Sequence, residues 1–206
     1  MISQPLKLGF LASGGGSSAR AIMDAIAAGE LAAEARLMVS NNKGAAALAW
    51  AREAGLEAIC IPTQADPDAA DARLVDAMTG RGVELIVLSG YLRQLGPLVL
   101  ARYAGRILNI HPGPLPEFGG HGMYGRRVHE AVIAAGAGAS AATIHVVDEE
   151  YDHGPVVAVC RVPLQPGDTA EALEARVRAS EPGFFVETLK KVARGEIQLP
   201  ASIAKQ

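Results

Sequence analysis

Residues 8–18 read Leu-Gly-Phe-Leu-Ala-Ser-Gly-Gly-Gly-Ser-Ser, and the fold follows from that stretch. Leu8–Ala12 is an apolar run of strand length, and Ser13–Ser18 is a serine–glycine turn. Ala19, Ile22, Met23 and Ile26 then recur at helical spacing until Gly29 stops them. The same alternation repeats down the first half. Strands are expected at Arg36–Ser40, Ala58–Pro62, Leu85–Ser89 and Arg106–Ile110. Between them fall a helix from about Lys43 to Ala54, a helix capped by Asp66-Pro67 and lined by Leu74, Val75 and Met78, and a short helix around Gly96–Tyr103. Unbroken Val/Ile/Leu strands separated by helices imply an α/β chain with a mostly parallel central sheet covered on both faces. In the second half Thr143–Val147 and Val156–Val162 flank a polar turn and read as an antiparallel hairpin. A last helix is expected from Asp168, with Glu171 three residues on as in a capping box. It is expected to break near Pro182-Gly183 and resume to about Arg194, with a short tail after Gly195.

Composition narrows the function. The 206 residues are 50% hydrophobic and 20% charged, enough for one sizeable core and short for two, so 1–206 is read as a single domain. A formal charge of −3 argues against a strongly basic nucleic-acid binder. Cys60 and Cys160 form no CxxC pair and have no ligand spacing with histidine, so neither a disulfide scaffold nor a metal site is expected. No apolar run has the length of a membrane span, and the expectation is a soluble, cytoplasmic protein that meets no membrane. All five histidines lie between positions 111 and 153, which places the proton chemistry in that stretch.

In open α/β sheets, ligands gather at the carboxyl ends of the strands, and three groups there carry unusual chemistry. Gly14, Gly15, Gly16, Ser17 and Ser18, between strand and helix, can turn backbone N–H groups and hydroxyls toward an anion, most naturally a phosphate. Neither GxGxxG nor Gly-Lys-Ser/Thr is present, so dinucleotide and P-loop readings are weak, and three successive glycines exceed what a plain turn needs. Asn109-Ile110-His111-Pro112 puts a carboxamide and an imidazole on one side of a strand end, suited to a developing oxyanion and to proton transfer. A capping Asn beside a packed His is the competing reading. His145 precedes Asp148, Glu149, Glu150 and Asp152. Glu149 and Glu150 read as a solvated turn, whereas Asp152, beside His153-Gly154-Pro155 where the chain doubles back, is the better candidate to point inward. His121, His129 and His153 have no assigned partner and are read as loop or surface residues.

With these groups in this order, the chain resembles the folate-dependent formyltransferases from about residue 6 to 195. The resemblance is carried by Leu11–Ser18, Val39–Ala54, Leu88–Leu95, Arg106–Pro116, Thr143–Val157 and the Glu181 region. It implies the Rossmann-like formyltransferase fold. It also implies transfer of the formyl group of 10-formyltetrahydrofolate, as co-substrate and without a metal, to the amine of glycinamide ribonucleotide in purine synthesis. Asn109, His111 and Asp152 match the catalytic trio: Asn109 and a protonated His111 would stabilise the oxyanion intermediate while Asp152 handles protons, with His145 in support. Gly14–Ser18 and Glu181 match the acceptor site, with the phosphate on the loop. Leu92, Arg93, Leu95 and the turn Val147, Asp148, Glu149, Glu150, Tyr151 and Asp152 match the folate cleft. Cys60 and Cys160 are then core residues.

Three departures from the family pattern stand out. Ser18 replaces an expected Asn, Phe118–His129 is longer than in some members, and no arginine stands near Pro67 to grip the folate tail. Length disfavours methionyl-tRNA formyltransferase and formyltetrahydrofolate hydrolase. A sugar-nucleotide N-formyltransferase shares the trio, and a non-catalytic phosphate-binding module would lack it. A monomer and a homodimer are both compatible with the sequence.

Overall fold

The computed structural model describes residues 4–200. Residues 201–206 of the expected tail lie outside them. Seven strands form one sheet in the order β3-β2-β1-β4-β5-β6-β7. β1 (Leu6–Leu11), β2 (Ala33–Ser40), β3 (Ala58–Cys60), β4 (Leu85–Leu88) and β5 (Ile107–His111) run parallel. β6 (Ala139–Val146) is antiparallel to β5, and β7 (Val156–Pro163) to β6, which is the expected hairpin. Central strands buried on both faces need apolar residues at every position, and Leu85–Leu88 has them.

The helices are α1 (Ser17–Ala27), α2 (Ala46–Glu53), α3 (Pro67–Thr79), α4 (Pro97–Arg102), α5 (Arg126–Ala134) and α6 (Ala170–Ala193). On one face of the sheet α1, α2 and the end of α6 bury Ile22, Leu48 and Phe185 against Leu8, Phe10 and Val87. On the other, α3 and α4 bury Leu74, Met78 and Val99 against Leu11, Leu37 and Ile86. A smaller cluster joins α5, α6, β6 and β7 through Val132, Ala142, Leu173 and Val177. Cys60 and Cys160 are half-buried thiols packed against these clusters.

Two elements differ from expectation. α5 takes up part of what read as a loop: Gly125 ends the glycine-rich stretch, and Val128, His129 and Val132 form the buried helical face. α6 does not break at Pro182. The proline removes one backbone donor, but Leu173 and Val177 before it and Phe185 and Leu189 after it are fully buried, and this packing carries the helix through. Its cap is Thr169, whose hydroxyl accepts from Ala172 N–H, whereas Asp168 turns aside to bind Arg176 and Gln165 N–H. Among the described residues no helix is long and apolar enough to cross a membrane.

Candidate active site

β5 and β6 build the centre of the site. Their register sets Asn109 opposite His145 and His111 opposite Thr143, so two polar pairs share one side of the sheet. Thr143 Oγ1 donates to Gly113 O at 2.7 Å and holds the chain as it leaves β5. Asn109 Nδ2 and His145 Nε2 are 3.1 Å apart, and His145 Nδ1 is 3.0 Å from Val146 O. A carbonyl only accepts, so Nδ1 carries a proton; in the neutral ring Nε2 then accepts from the Asn109 amide, and a second ring proton on Nε2 would face Asp152 Oδ1, 3.4 Å away. One Asn109 amide hydrogen is thus fixed, leaving the other to point elsewhere.

The β6–β7 turn delivers Asp152. Its φ of 55° lies in the left-handed region, which Asp tolerates better than most residues. Gly154 closes the turn so tightly that any Cβ there would fall on the Val146 carbonyl oxygen. The Asp152 carboxylate stands between two imidazoles, with His111 Nδ1 3.3 Å from Oδ2 and His145 Nε2 3.4 Å from Oδ1. Gly120 N–H also donates to Oδ2 at 3.1 Å. Burial raises the Asp152 pKa, but the His145 hydrogen bond, the charge His111 carries when protonated and the Gly120 N–H together outweigh it. The net shift is downward, and the group is ionised at neutral pH.

His111 is only 3% exposed. Its Nε2 lies 2.8 Å from Phe118 O and its Nδ1 faces Asp152, so both nitrogens meet oxygen acceptors. Only an imidazolium would satisfy both, but burial opposes that charge and prevails. The pKa is held below the ordinary histidine value, with Asp152 and the Phe118 carbonyl pulling it up and His145 pushing it further down. In this arrangement its Nε2 is engaged by the 118–120 loop and its Nδ1 faces the carboxylate.

A cleft of about 80 Å³ opens beside this centre, lined by Asn109, His145, Leu88, Tyr91, Arg93, Gln94, Leu95 and the turn 147–152. The structure therefore gathers Arg93, Leu95 and Val147–Asp152 around Asn109. Leu92 does not line this cleft: the residue is 75% exposed, and its backbone N–H donates to Ser13 Oγ. Tyr91, Gln94 and Leu95 also wall a second cavity of about 330 Å³ at the start of α3. Burial pushes the Tyr91 hydroxyl up to about 12, with Arg93 acting in the opposite sense. Near Pro67 stand Asp66, which caps α3 by accepting from Ala69 N–H, and Asp68. His121 meets Tyr151 edge to face at 6.1 Å, so the 118–125 loop touches the 147–152 turn.

The glycine loop lies between β1 and α1. Gly16 adopts φ 65°, and a Cβ there would press on Ala47 and Ala12 at 3.2–3.3 Å. Gly14 and Gly15 face open space. Ala47 N–H donates to Gly14 O, and the Trp50 indole N–H donates to Gly15 O at 2.8 Å. Ala19 N–H is taken by Ser89 Oγ, whereas among the described residues no acceptor meets the N–H groups of Gly15–Ser18. A row of free donors at a helix start suits an anion. Ser17 is exposed and Ser18 buried, so Ser18 offers its backbone rather than its hydroxyl. Glu181 lies on α6, half-buried and, among the described residues, without a hydrogen-bond partner. Burial raises its carboxyl to about 7, opposed by Arg178. It makes no hydrogen bond to the loop.

Sequence reasoning missed Trp50, Ser89 and Ser13 as supports of the loops, and read His129 as a loop or surface residue although it is 1% exposed on α5. His153, read as unpartnered, pairs with Asp148 at 2.9 Å. Among the described residues no three His, Cys, Asp or Glu side chains are grouped to hold a metal ion.

A mostly parallel sheet with an antiparallel hairpin delivering an aspartate to an Asn-x-His strand end defines a class of protein: the chain belongs to the formyl transferase family, whose pattern matches residues 6–189. Within it the similar curated proteins include several phosphoribosylglycinamide formyltransferases. That of Haemophilus influenzae is 34% identical over 96% of this chain and 92% of its own length. The chloroplastic one of Vigna unguiculata is 38% identical over 93% of this chain, which spans 62% of that longer relative. Among solved structures, the phosphoribosylglycinamide formyltransferase of Coxiella burnetii superposes with a TM-score of 0.86 at 33% identity, covering 96% of this chain and 92% of that one.

Proposed function

We propose that this chain transfers the formyl group of 10-formyltetrahydrofolate to the primary amine of glycinamide ribonucleotide. The observation that carries the reading is the ionised Asp152 held between two imidazoles beside Asn109, at the mouth of a cleft. Leu88, Leu95 and Val147 offer that cleft apolar walls, and the 147–152 turn offers backbone polar groups, which fits a flat heteroaromatic ring with hydrogen-bonding edges. Arg93 is the cation there for a carboxylate tail. The free N–H groups of Gly15–Ser18 would take the acceptor's phosphate, and Glu181 would meet the rest of that ligand.

The donor supplies an activated formyl carbon, and the residues handle charge. As the amine nitrogen attacks, negative charge grows on the formyl oxygen and positive charge on the nitrogen. The second amide hydrogen of Asn109 donates to that oxygen, held in place by the Asn109–His145 bond. Asp152 takes the proton that the nitrogen must lose and passes it toward the departing tetrahydrofolate amine. His111 keeps the carboxylate in place. The acceptor gains a formyl group, the donor leaves as tetrahydrofolate, and no acyl-enzyme forms.

The test is a direct assay of the purified protein with both substrates, following tetrahydrofolate release. Turnover that requires both, and that falls by at least about 100-fold in Asp152→Asn, is expected for a lost proton acceptor. Full turnover in that variant would overturn the role given to Asp152, and no turnover in the unaltered protein would overturn the reaction.

A further inference from the structure

Residues 90–95 wall the cleft through Tyr91, Arg93, Gln94 and Leu95, yet they have no helix or strand of their own. Among the described residues, two hydrogen bonds tie the backbone of this segment to the rest of the chain, and both end on Ser13. Ser13 N–H donates to Gly90 O at 3.0 Å, and Leu92 N–H donates to Ser13 Oγ at 2.8 Å. The same hydroxyl donates its proton to Asn41 Oδ1 at 2.6 Å, beyond the end of β2. Asn42 Nδ2 reaches Ser13 O at 3.5 Å.

A hydroxyl has one proton and two lone pairs, and here the proton goes to one strand end while a lone pair serves the wall. Alanine can do neither, and threonine can do both. Ser13 also immediately precedes Gly14, so it is the joint between the wall and the loop whose free N–H groups face outward. A second tie runs the same way, from Ala19 N–H at the start of α1 to Ser89 Oγ at the end of β4.

We propose that Ser13 is a positioning residue that registers the donor wall against the acceptor's phosphate loop, so that filling the acceptor site tightens donor binding. The inference rests on the division of ligands proposed above, with the donor in the cleft and phosphate on the loop. Ser13 touches neither ligand. It acts by holding Gly90 and Leu92, and hence the segment that carries Tyr91, Arg93 and Leu95, at a fixed place. Phosphate bound to residues 15–18 immobilises the loop and with it Ser13. The donor then meets a wall already ordered, and the ordering cost no longer weakens its binding. Without the hydroxyl, Leu92 N–H loses its acceptor and the wall orders only when the donor arrives.

The experiment is calorimetric titration of 5-formyltetrahydrofolate, a stable folate that does not transfer its formyl group, into wild type, Ser13→Ala and Ser13→Thr. Each is titrated with and without saturating glycinamide ribonucleotide. Wild type is expected to bind the folate about threefold or more tightly with the acceptor present. Ser13→Ala is expected to bind it about tenfold more weakly and to lose most of that dependence, and Ser13→Thr to recover both. A purely structural role would lower the melting temperature of Ser13→Ala and leave the folate Kd within about twofold of wild type. That result overturns the inference, as does an acceptor effect that survives in Ser13→Ala or is absent from wild type. Should Ser13→Ala fail to fold, Asn41→Ala removes the hydroxyl's anchor while leaving Leu92 its acceptor. It is expected to weaken folate binding about two- to fivefold, and unchanged affinity there overturns the inference equally. Wild type that binds no folate at all overturns the division of ligands, and this inference with it. That outcome is distinct from wild type that binds and turns over while Ser13→Ala behaves identically.

Discussion

Asn109 has two amide hydrogens, and in the neutral ring His145 Nε2, 3.1 Å away, accepts one of them. If the other stabilises the developing oxyanion, Asn109→Ala should lower kcat by about 100- to 1,000-fold with substrate KM values nearly unchanged, as steady-state kinetics would show. His145→Ala should produce a smaller fall in kcat, because the amide stays but is no longer aimed. Equal losses in both variants would mean that His145 does more than position. The sequence placed Asn109 and His111 on one side of a strand because period two is local geometry. It could not show that Phe118 O occupies His111 Nε2, since that bond depends on how the 118–120 loop folds back over β5. Glu181 offers a second residue-scale prediction. Its native pKa of about 7 lies above its ordinary 4.5, so the folded state holds the proton more tightly than the unfolded chain does. The resulting penalty is absent below pH 4.5, grows through the interval and is complete above pH 7. Glu181→Gln, which mimics the protonated form, should therefore stabilise the protein at pH 8 by about 3 kcal/mol and hardly at all at pH 4.5, measured by urea unfolding.

At the scale of elements, local signals and tertiary packing divide the explanation. α3 was legible from Asp66-Pro67 because a capping oxygen and a proline at the first turn act within four residues. α4 has no such local cap. Its N–H groups at Leu98 and Val99 are met by the carboxylate of Asp71, 27 and 28 residues earlier on α3. Nothing near Gly96 in the sequence announces that partner. Asp71→Ala would leave both donors without an acceptor and cost about 2–4 kcal/mol in denaturant unfolding, whereas Asp71→Asn, which keeps an acceptor oxygen, should cost less. α6 teaches the converse: Pro182 and Gly183 are local breakers, and the buried side chains on either side of them override the local signal. The β6–β7 turn is the element on which the site depends most. Gly154→Ala should destabilise the protein by at least about 1–3 kcal/mol, since a Cβ would strike the Val146 carbonyl. It should also lower activity beyond the loss of folded protein, because that turn places Asp152.

Across the whole molecule, several titratable groups are buried where a core would otherwise be, and the cost appears as pH dependence. His111 and His129 are both buried with pKa values pushed below the ordinary histidine value, burial being the leading cause for each. His129 Nδ1 has no hydrogen-bond partner among the described residues. A histidine whose native pKa is depressed binds its proton more weakly in the folded state, so its stability contribution is full above the unfolded value of 6.5 and is lost as pH falls below it. Glu181 has the opposite sign in nearly the same window, relieving the fold as pH falls from 7 toward 4.5. In the unaltered protein the two slopes oppose each other between pH 7 and pH 5. Glu181→Gln removes the compensating slope without touching either imidazole. Its stability should therefore fall steadily over that interval, and His129→Gln on the same background should flatten the fall. A Glu181→Gln protein equally stable at pH 5 and pH 7 would show that the buried imidazoles do not set the acid limit of this fold.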